Sequence, residues 1–195
     1  MRLAHSLLAG AILAACACSS SNPMSPSSGA SLNVMIKDSP FSDAKALLVT
    51  FSEVSAHASG GDFMRVPFAP APGASSGPTS RTCDLKKLTT AQDVLGTGPL
   101  PAGHYTQVRL IVASAVIYFD NASTGAACAP TIAAPAGRNA AVDIPSGEVR
   151  LNREFDLATS GGKTILLDFD GDQSVRETGN GRFMMTPVIA IVSVQ

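Results

Sequence analysis

The sequence has no tryptophan and only two tyrosines in 195 residues, so it is poorly supplied with aromatic platforms for stacking sugars. Charged residues make up 15 % and the formal net charge is −1, so the basic surplus of nucleic-acid-binding domains is missing. The chain has no H-E-x-x-H spacing, no G-x-S-x-G elbow and no G-K-[ST] phosphate loop. We therefore expect no nucleic-acid partner and no enzymatic activity. The enzymatic alternative left open is a hydrolase whose Ser–His–Asp triad is assembled from distant strands.

The first fifteen residues have the composition of a secretory leader. Arg2 precedes an apolar stretch over 7–15, which is too short to cross a bilayer about 30 Å thick as a helix. The tetrapeptide L-A-A-C that ends at Cys16 resembles the lipobox of bacterial lipoproteins. That resemblance implies diacylglyceryl transfer to the Cys16 sulfur, cleavage before this residue and acylation, for instance by palmitate, of the new amine. Several acyl chains would make the attachment effectively permanent.

The residues around Cys16 also bear on the destination. Because Ala17 rather than aspartate follows Cys16, the likeness to sorted lipoproteins implies export through the periplasm to the outer membrane. The alternative is ordinary cleavage, because residues 15–17 also satisfy the A-x-A pattern and would release a soluble protein that begins at Cys18.

The composition divides the chain into three parts. Residues 19–31 hold seven serines and two prolines without apolar periodicity, a composition that does not fold. We expect a lipoprotein signal peptide over 1–15, a lipidated Ser/Pro-rich tether over 16–31 and one β-domain over 32–195.

From residue 32 onward the apolar spacing has mainly period two, as Leu32, Val34 and Ile36 show. The apolar phase reverses near Ser52–Glu53, which predicts a bulge. Without a strand–helix rhythm, the pattern predicts an all-β, antiparallel β-sandwich. The predicted strands cover 32–37, 46–57, 63–68, 104–119, 140–144, 149–157, 163–170 and 183–194, and one short helix is predicted over 86–95.

Two cysteines accompany loops rich in proline, glycine, alanine and serine, over 69–81 and 121–139. In an exported protein, Cys83 and Cys128 favour a disulfide that fastens these loops. Such a bridge is worth about 4 kcal/mol in the chain-entropy model. Two free thiols, or pairing of one cysteine with Cys18, are the alternatives.

Three motifs together resemble a family of bacterial lipoproteins that is catalogued as domain of unknown function 4382. They are K-D-S-P at 37–40, L-P-A-G-H-Y-T-Q-V-R-L at 100–110, and L-D-F-D at 167–170 with the segments that follow it up to 189. The resemblance covers about 32–194 and implies an exported, often lipid-anchored β-sandwich, transthyretin-like or immunoglobulin-like, without established activity. This chain departs from the family's pattern in its two cysteine-bearing loops, in Thr186, where a basic residue is common, and in Ala190, where arginine is expected.

The residues of the second motif read as structural. Pro101 and Gly103 fit a tight turn. After it, strict alternation places Tyr105 and Arg109 on one face of a strand. A tyrosine next to a turn can hydrogen-bond back to the chain, as the tyrosine corner of β-sandwiches does.

The acidic run near residue 170 is the sharpest candidate for chemistry. Asp168 and Asp170 would point the same way on a strand, with Asp172 just past its end. With Asp38 from another strand they could bind a hard cation such as calcium, although the EF-hand pattern is not met. The alternative is structural: pairing with Arg109, Arg176 or Arg182, or acceptance of backbone N–H groups in the following turn.

These observations predict a lipid-anchored, non-enzymatic binding or assembly module of the cell envelope. Its expected contacts are the membrane, through the N-terminal lipid, and an unidentified protein or small ligand. No cofactor is expected apart from the calcium alternative. Acidic side chains that converge at one pole would favour a calcium-binding or carbohydrate-binding surface, an exposed apolar edge strand would favour assembly, and a reactive serine would favour the hydrolase.

Overall fold

The structure is a computed structural model that describes residues 29–39, 44–90 and 92–195. The predicted signal peptide, Cys16 and the tether up to residue 28 lie outside the described residues. The first strand begins at Ala30, two residues before the predicted start of the domain at residue 32. The strands are β1 (Ala30–Ser39), β2 (Ala46–Ala58), β3 (Phe63–Arg65), β4 (Arg81–Asp84), β5 (Asp93–Pro99), β6 (Gly103–Tyr118), β7 (Cys128–Ala129), β8 (Asn139–Asp143), β9 (Glu148–Leu157), β10 (Gly161–Asp170), β11 (Val175–Gly179), β12 (Arg182–Met185) and β13 (Ile189–Val194). A 3-10 turn covers Leu85–Lys87, and the single-turn helix α1 covers Gly171–Ser174.

The strands form two sheets, so the predicted all-β sandwich is confirmed. The smaller sheet has the order β13-β10-β1-β5, and the larger has the order β11-β12-β8-β6-β2-β4-β7, with β3 on β2 and β9 on β6. The sheets are mixed rather than purely antiparallel, because β1 pairs with β10 and β8 with β12 in parallel. The long chain separation between these partners allows the crossover that parallel strands need.

The core lies between the two sheets and follows from the period-two pattern. Leu32, Val34 and Ile36 of β1 are fully buried on its inner face. Phe51 of the larger sheet meets Phe169 of the smaller one edge to face, with ring centroids 6.4 Å apart, a favourable aromatic geometry. The bulge predicted near Ser52–Glu53 is present, because the β2–β6 register shifts between Phe51 and Glu53.

Two predicted elements differ from the structure. The helix predicted over 86–95 is wrong: a 3-10 turn at Leu85–Lys87, capped by Asp84, is followed by strand β5 from residue 93. The glycines at positions 96 and 98 let the backbone of this strand lie close to segment 67–69. A Cβ at position 98 would lie 2.6 Å from the Pro67 ring. The last predicted strand divides into β12 and β13, because Pro187 cannot donate to a sheet ladder. None of the helices in the described ranges is long and apolar enough to span a bilayer.

Candidate functional site

The parallel pairing of β1 and β10 brings the predicted acidic residues to one end of the smaller sheet. Lys37 lies opposite Asp168, and Asp38 lies opposite Phe169. Asp168 and Asp170 alternate with the buried Leu167 and Phe169 and therefore lie on the outer face. Asp38, by contrast, continues the inner row of β1. The two sets of carboxylates consequently point to opposite faces of the sheet.

The outer carboxylates are engaged by groups of the protein. The Asp168 carboxylate pairs with the Lys37 ammonium at 2.6 Å. Asp170 caps the helix α1 and accepts from the backbone N–H and the side-chain amide of Gln173, at 2.9 and 2.6 Å. Asp172 lies on the exposed first turn of α1. The carboxylates of this run therefore have structural partners, as the structural alternative expects: Asp170 accepts a backbone N–H in the following turn. The predicted ionic partners were arginines, however, whereas Asp168 pairs with Lys37.

Asp38 is a buried carboxyl group that is only half satisfied. It is 5 % exposed, and its Oδ1 accepts from the Gly171 N–H at 3.0 Å. Its Oδ2 is buried and has no hydrogen-bond partner in the described chain. Burial, together with the negative charges of Asp168 and Asp170, raises the pKa of Asp38 to about 7, against the lowering effects of the Gly171 N–H and the Lys86 charge.

The arrangement does not form the predicted cation site. In the part of the chain that the structure describes, no group of three or more His, Cys, Asp or Glu residues could hold a metal ion. The reason is the alternation of side chains along β1 and β10, which separates Asp38 from Asp168 and Asp170. The candidate calcium set of Asp38, Asp168, Asp170 and Asp172 is thus four carboxylates with separate roles.

The same sheet has a free edge at β13. This strand pairs with β10 on one side, and no strand among residues 29–39, 44–90 and 92–195 pairs with its other side. Asp170 N–H donates to the Val188 carbonyl at 2.9 Å, and Asp168 lies opposite Ala190. Because bonded pairs alternate in an antiparallel ladder, the backbone groups of Ile189 and Ile191 point away from β10. These groups have no strand partner among the described residues, and β9 of the larger sheet lies next to this edge.

The side chains along this edge are apolar. Residues 187–195 carry no charged side chain. Val188 and Val192, which are 38 % and 52 % exposed, are the only large hydrophobic residues that are exposed in the described ranges. Val192 is the extra residue where the β10–β13 register shifts between Leu166 and Leu167, and this bulge leaves its side chain in solvent.

The other sheet edges carry the protective features that proteins use against strand pairing. Five of the ten residues of β9 are charged, β11 is short and includes Arg176 and Glu177, and β3 and β7 have only three and two residues. Segment 67–69 covers β5: Thr97 N–H donates to the Pro67 carbonyl at 2.9 Å, and Ala69 N–H donates to the Leu95 carbonyl at 3.3 Å. β13 carries no charged residue; its protections are the bulge at Val192 and the neighbouring strand β9, which lies beside it without pairing.

Tyr105 and Arg109 have structural roles on opposite faces of β6. The predicted back-bond is present, since the Tyr105 hydroxyl donates to the Pro101 carbonyl at 2.8 Å, and the ring stacks on Phe155 at 5.2 Å. The prediction that Tyr105 shares a face with Arg109 is wrong, because a register shift between Tyr105 and Gln107 turns Tyr105 into the core. Burial raises the pKa of Tyr105.

Arg109 completes an outer polar cluster that the sequence did not suggest. Its guanidinium bonds to the Glu53 carboxylate at 2.5 Å and lies 4.0 Å from the Phe63 ring centroid. Burial favours a higher pKa for Glu53, but the bonds from Arg109 and Ser55 outweigh it and lower that pKa. Arg109 thus pairs with Glu53 of β2 and also covers the Phe63 ring of β3. These two contacts hold β3 against β6.

The predicted Cys83–Cys128 disulfide is present, with the two Cα atoms 4.0 Å apart. Beside it, the buried Arg81 guanidinium donates to the carbonyls of Ala69 and Cys128 at 2.9 and 3.2 Å. Asp93 lies 3.6 Å from that guanidinium and accepts from the Cys128 N–H. The bridge and this network together fasten both predicted loops. The sequence signal for the network was Arg81, a charged residue at the start of the otherwise buried strand β4.

Comparison with known proteins identifies the family. The family model described as Domain of unknown function (DUF4382) matches residues 29–187, which is most of the chain, so the chain belongs to this family. No curated protein and no solved structure matches the sequence or the fold. The transthyretin-like or immunoglobulin-like variety of the sandwich therefore stays a prediction.

Proposed function

We propose that this member of the DUF4382 family is a lipid-anchored, non-enzymatic assembly module of the bacterial outer membrane, which joins a partner chain through the edge of β13. The observation that carries the proposal is the contrast between β13 and the other edges. Strand addition to an open edge supplies main-chain hydrogen bonds, and alternate side chains supply specificity. The uncharged residues 187–195, with exposed Val188 and Val192, have both properties.

Two features support export and anchoring. Disulfides persist in oxidising compartments such as the bacterial periplasm, and Cys83 and Cys128 form one. Cys16 ends a lipobox-like tetrapeptide behind a short apolar leader. Labelled palmitate is expected to be incorporated into the wild-type chain and into a Cys18→Ser variant but not into Cys16→Ser. Equal labelling of the two variants, or none of the wild type, contradicts the anchor.

Native electrophoresis of gently solubilised membranes tests the assembly role. The wild-type chain is expected to migrate in a complex larger than itself. Ala190→Lys places a charge beside the open edge and is expected to release the chain, since edge lysines oppose strand pairing. Ala134→Lys, at an exposed loop position of the larger sheet's side of the fold, is the matched control. A complex that survives Ala190→Lys, or a wild-type chain that migrates alone, contradicts the role of β13.

A fluorophosphonate probe separates this proposal from the hydrolase alternative. The chain is expected to stay unlabelled. A serine labelled by the probe would replace the assembly proposal with a dispersed catalytic triad.

A further inference from the structure

The turn between β11 and β12 holds an exposed asparagine that is followed by glycine. Asn180 and Gly181 form a two-residue hairpin loop, and their φ angles are 54° and 68°. Such a loop favours this dipeptide, because glycine has no Cβ and asparagine tolerates the left-handed region. β11 is an edge strand in which only Val175 is buried. Solvent therefore has access to the Asn180 amide and to the peptide bond after it.

Asn180 differs in its side-chain contacts from the other asparagines of the described ranges. The side chains of Asn33, Asn121, Asn139 and Asn152 each take part in a hydrogen bond. The Asn180 side chain has no such bond to any residue that the structure describes. None of the other four is followed by glycine. Asn180 thus combines an amide without a protein partner with the least hindered peptide nitrogen.

The Gly181 nitrogen is the nucleophile that lies within reach of this amide. It follows the Asn180 carbonyl carbon in the chain, so its attack on the side-chain Cγ closes a succinimide ring. A C–N bond forms, the Cγ–N bond of the side chain breaks, and the proton lost from Gly181 leaves with that nitrogen as ammonia. Water then opens the ring at either carbonyl and gives aspartate or isoaspartate. The reaction consumes one water molecule and needs no oxidant or cofactor.

Glu177 is positioned to take the proton from Gly181. Its Oε1 accepts a hydrogen bond from the Gly181 N–H at 3.1 Å. A general base has to lie within hydrogen-bond reach of the proton it removes, and this carboxylate does. It belongs to β11, where Glu177 pairs with Phe183 across the hairpin. The position of the base therefore depends on the folded hairpin.

The pair Asp170–Gly171 could close the same ring, but the fold holds its reacting groups. The Asp170 carboxylate accepts from the backbone N–H and the side-chain amide of Gln173, so it is kept away from the next nitrogen. Gly171 is buried, and its N–H donates to the Asp38 carboxylate at 3.0 Å. This pair is an internal reference for the effect of exposure and of a side chain without a partner.

We propose that Asn180 is a site of spontaneous covalent modification, converted to aspartate and isoaspartate through a succinimide that the Gly181 nitrogen closes with Glu177 as the base. Either product adds a negative charge to the turn, and isoaspartate also lengthens the backbone there by a methylene. Thr178, Gly181 and Arg182 line a groove of about 700 Å³ between β8 and β12. Older copies of the chain therefore carry a more negative groove. The site goes beyond the proposed function and does not depend on β13.

Peptide mapping of the full chain, purified from membranes, tests the site. Trypsin cuts after arginines to give the peptide 177–182, which holds Asn180. After incubation in mildly alkaline buffer, this peptide is expected to give two products that separate on chromatography and have the mass of the acid. The peptides that hold Asn139 and Asp170 are expected to stay unchanged. No conversion of Asn180, or equal conversion of Asn139, overturns the proposal.

Two variants separate the chemistry from damage to the hairpin. Asn180→Gly keeps a residue that tolerates positive φ and is expected to give neither product. Glu177→Gln keeps an oxygen that accepts from the Gly181 N–H but cannot take its proton. It is expected to slow the conversion about tenfold, less than the loss of an optimised enzymatic base, because solvent also reaches this N–H. Thermal unfolding of both variants checks that the fold persists.

The same comparison in denaturant shows whether Glu177 acts through its place in the fold. Without the hairpin, the wild type and Glu177→Gln are expected to convert at equal rates. A folded Glu177→Gln chain that converts as fast as the folded wild type overturns the role of Glu177 as the base. A folded Glu177→Gln chain that converts faster shows that the bond to Gly181 protects Asn180, and overturns the proposal.

Discussion

Two aspartates are buried in the part of the chain that the structure describes, Asp84 and Asp38, and they differ in how far the fold satisfies them. Asp84 is 0 % exposed, and its carboxylate accepts from Leu47 N–H, Lys86 N–H and the Ser123 hydroxyl at 3.1, 3.1 and 2.6 Å. Asp38 is 5 % exposed and has a single bond, from Gly171.

The same contrast extends to the regions around these residues. Asp84 stands beside the disulfide, where buried polar groups are joined to each other and to the backbone. Asp38 lies in one row with Phe169 and Ile189, and so belongs to the side of the smaller sheet that ends in the open edge of β13. The buried carboxylate on the disulfide side is fully hydrogen-bonded and serves stability, whereas the one on the β13 side keeps an oxygen without a partner, as functional regions commonly do.

Loss of the disulfide should give the largest effect on the closed side. Replacing both Cys83 and Cys128 by alanine is expected to lower the free energy of unfolding by about 4 kcal/mol, because the bridge links positions 45 residues apart. Urea unfolding under oxidising conditions measures this change, and Cys18→Ser is the matched control. A loss below about 1 kcal/mol would mean that the bridge adds little to loops that the Arg81 network already holds.

The substitution Asp84→Ala should give the next largest loss of stability. The substitution leaves buried donors without their acceptor and is expected to cost about 3 kcal/mol. Urea unfolding against Asp172→Ala, whose parent residue is exposed, isolates the effect of burial. Equal midpoints for the two variants would contradict the assignment of Asp84 as a structural anchor of this side.

Asp38→Asn should have a smaller effect of the opposite sign. The folded-state pKa of about 7 lies above the ordinary value of 3.8, so the unfolded chain releases its proton first as pH rises. The contribution of Asp38 to wild-type stability therefore falls from about pH 4 to about pH 7 and is level above that range. Above pH 7 the uncharged variant is expected to be more stable by about 1 kcal/mol.

Unfolding of the wild type, Asp38→Asn and the control Asp172→Asn at pH 5 and pH 8 measures this dependence. The advantage of Asp38→Asn should grow with pH, and Asp172→Asn should follow the wild type. A variant less stable than the wild type at pH 8 would show that ionised Asp38 has a stabilising partner in the folded chain.

Much of the fold could be predicted because its signals are local. Period-two spacing located most strands, and the phase reversal near Ser52–Glu53 located the bulge of β2. The inner position of Asp38 was also readable, since it follows Leu32, Val34 and Ile36 in the same phase. What local patterns do not contain is the partner of each strand. The parallel β1–β10 register, which separates Asp38 from Asp168, joins residues more than 130 positions apart.

The face of β6 on which Tyr105 lies was predicted wrongly, and the edge position of β13 was not predicted, for the same reason. The bulge after Tyr105 arises from the register with β2 and β9, strands that are distant in sequence. Likewise, the sequence predicts a strand in this segment, but only the sheet order places β13 at an edge.

Amide hydrogen exchange at Ile189 and Ile191 measures whether the edge of β13 binds a partner strand, because it reports whether these N–H groups are hydrogen-bonded. The chain is measured as a dilute solubilised monomer and again while anchored in membranes, with Ala190, whose position faces β10, as the internal reference. We expect Ile189 and Ile191 to exchange quickly in the monomer and to become protected in the membrane, while Ala190 is protected in both states. Rapid exchange of Ile189 and Ile191 in the membrane, or protection of both already in the monomer, would contradict an edge held open for a partner.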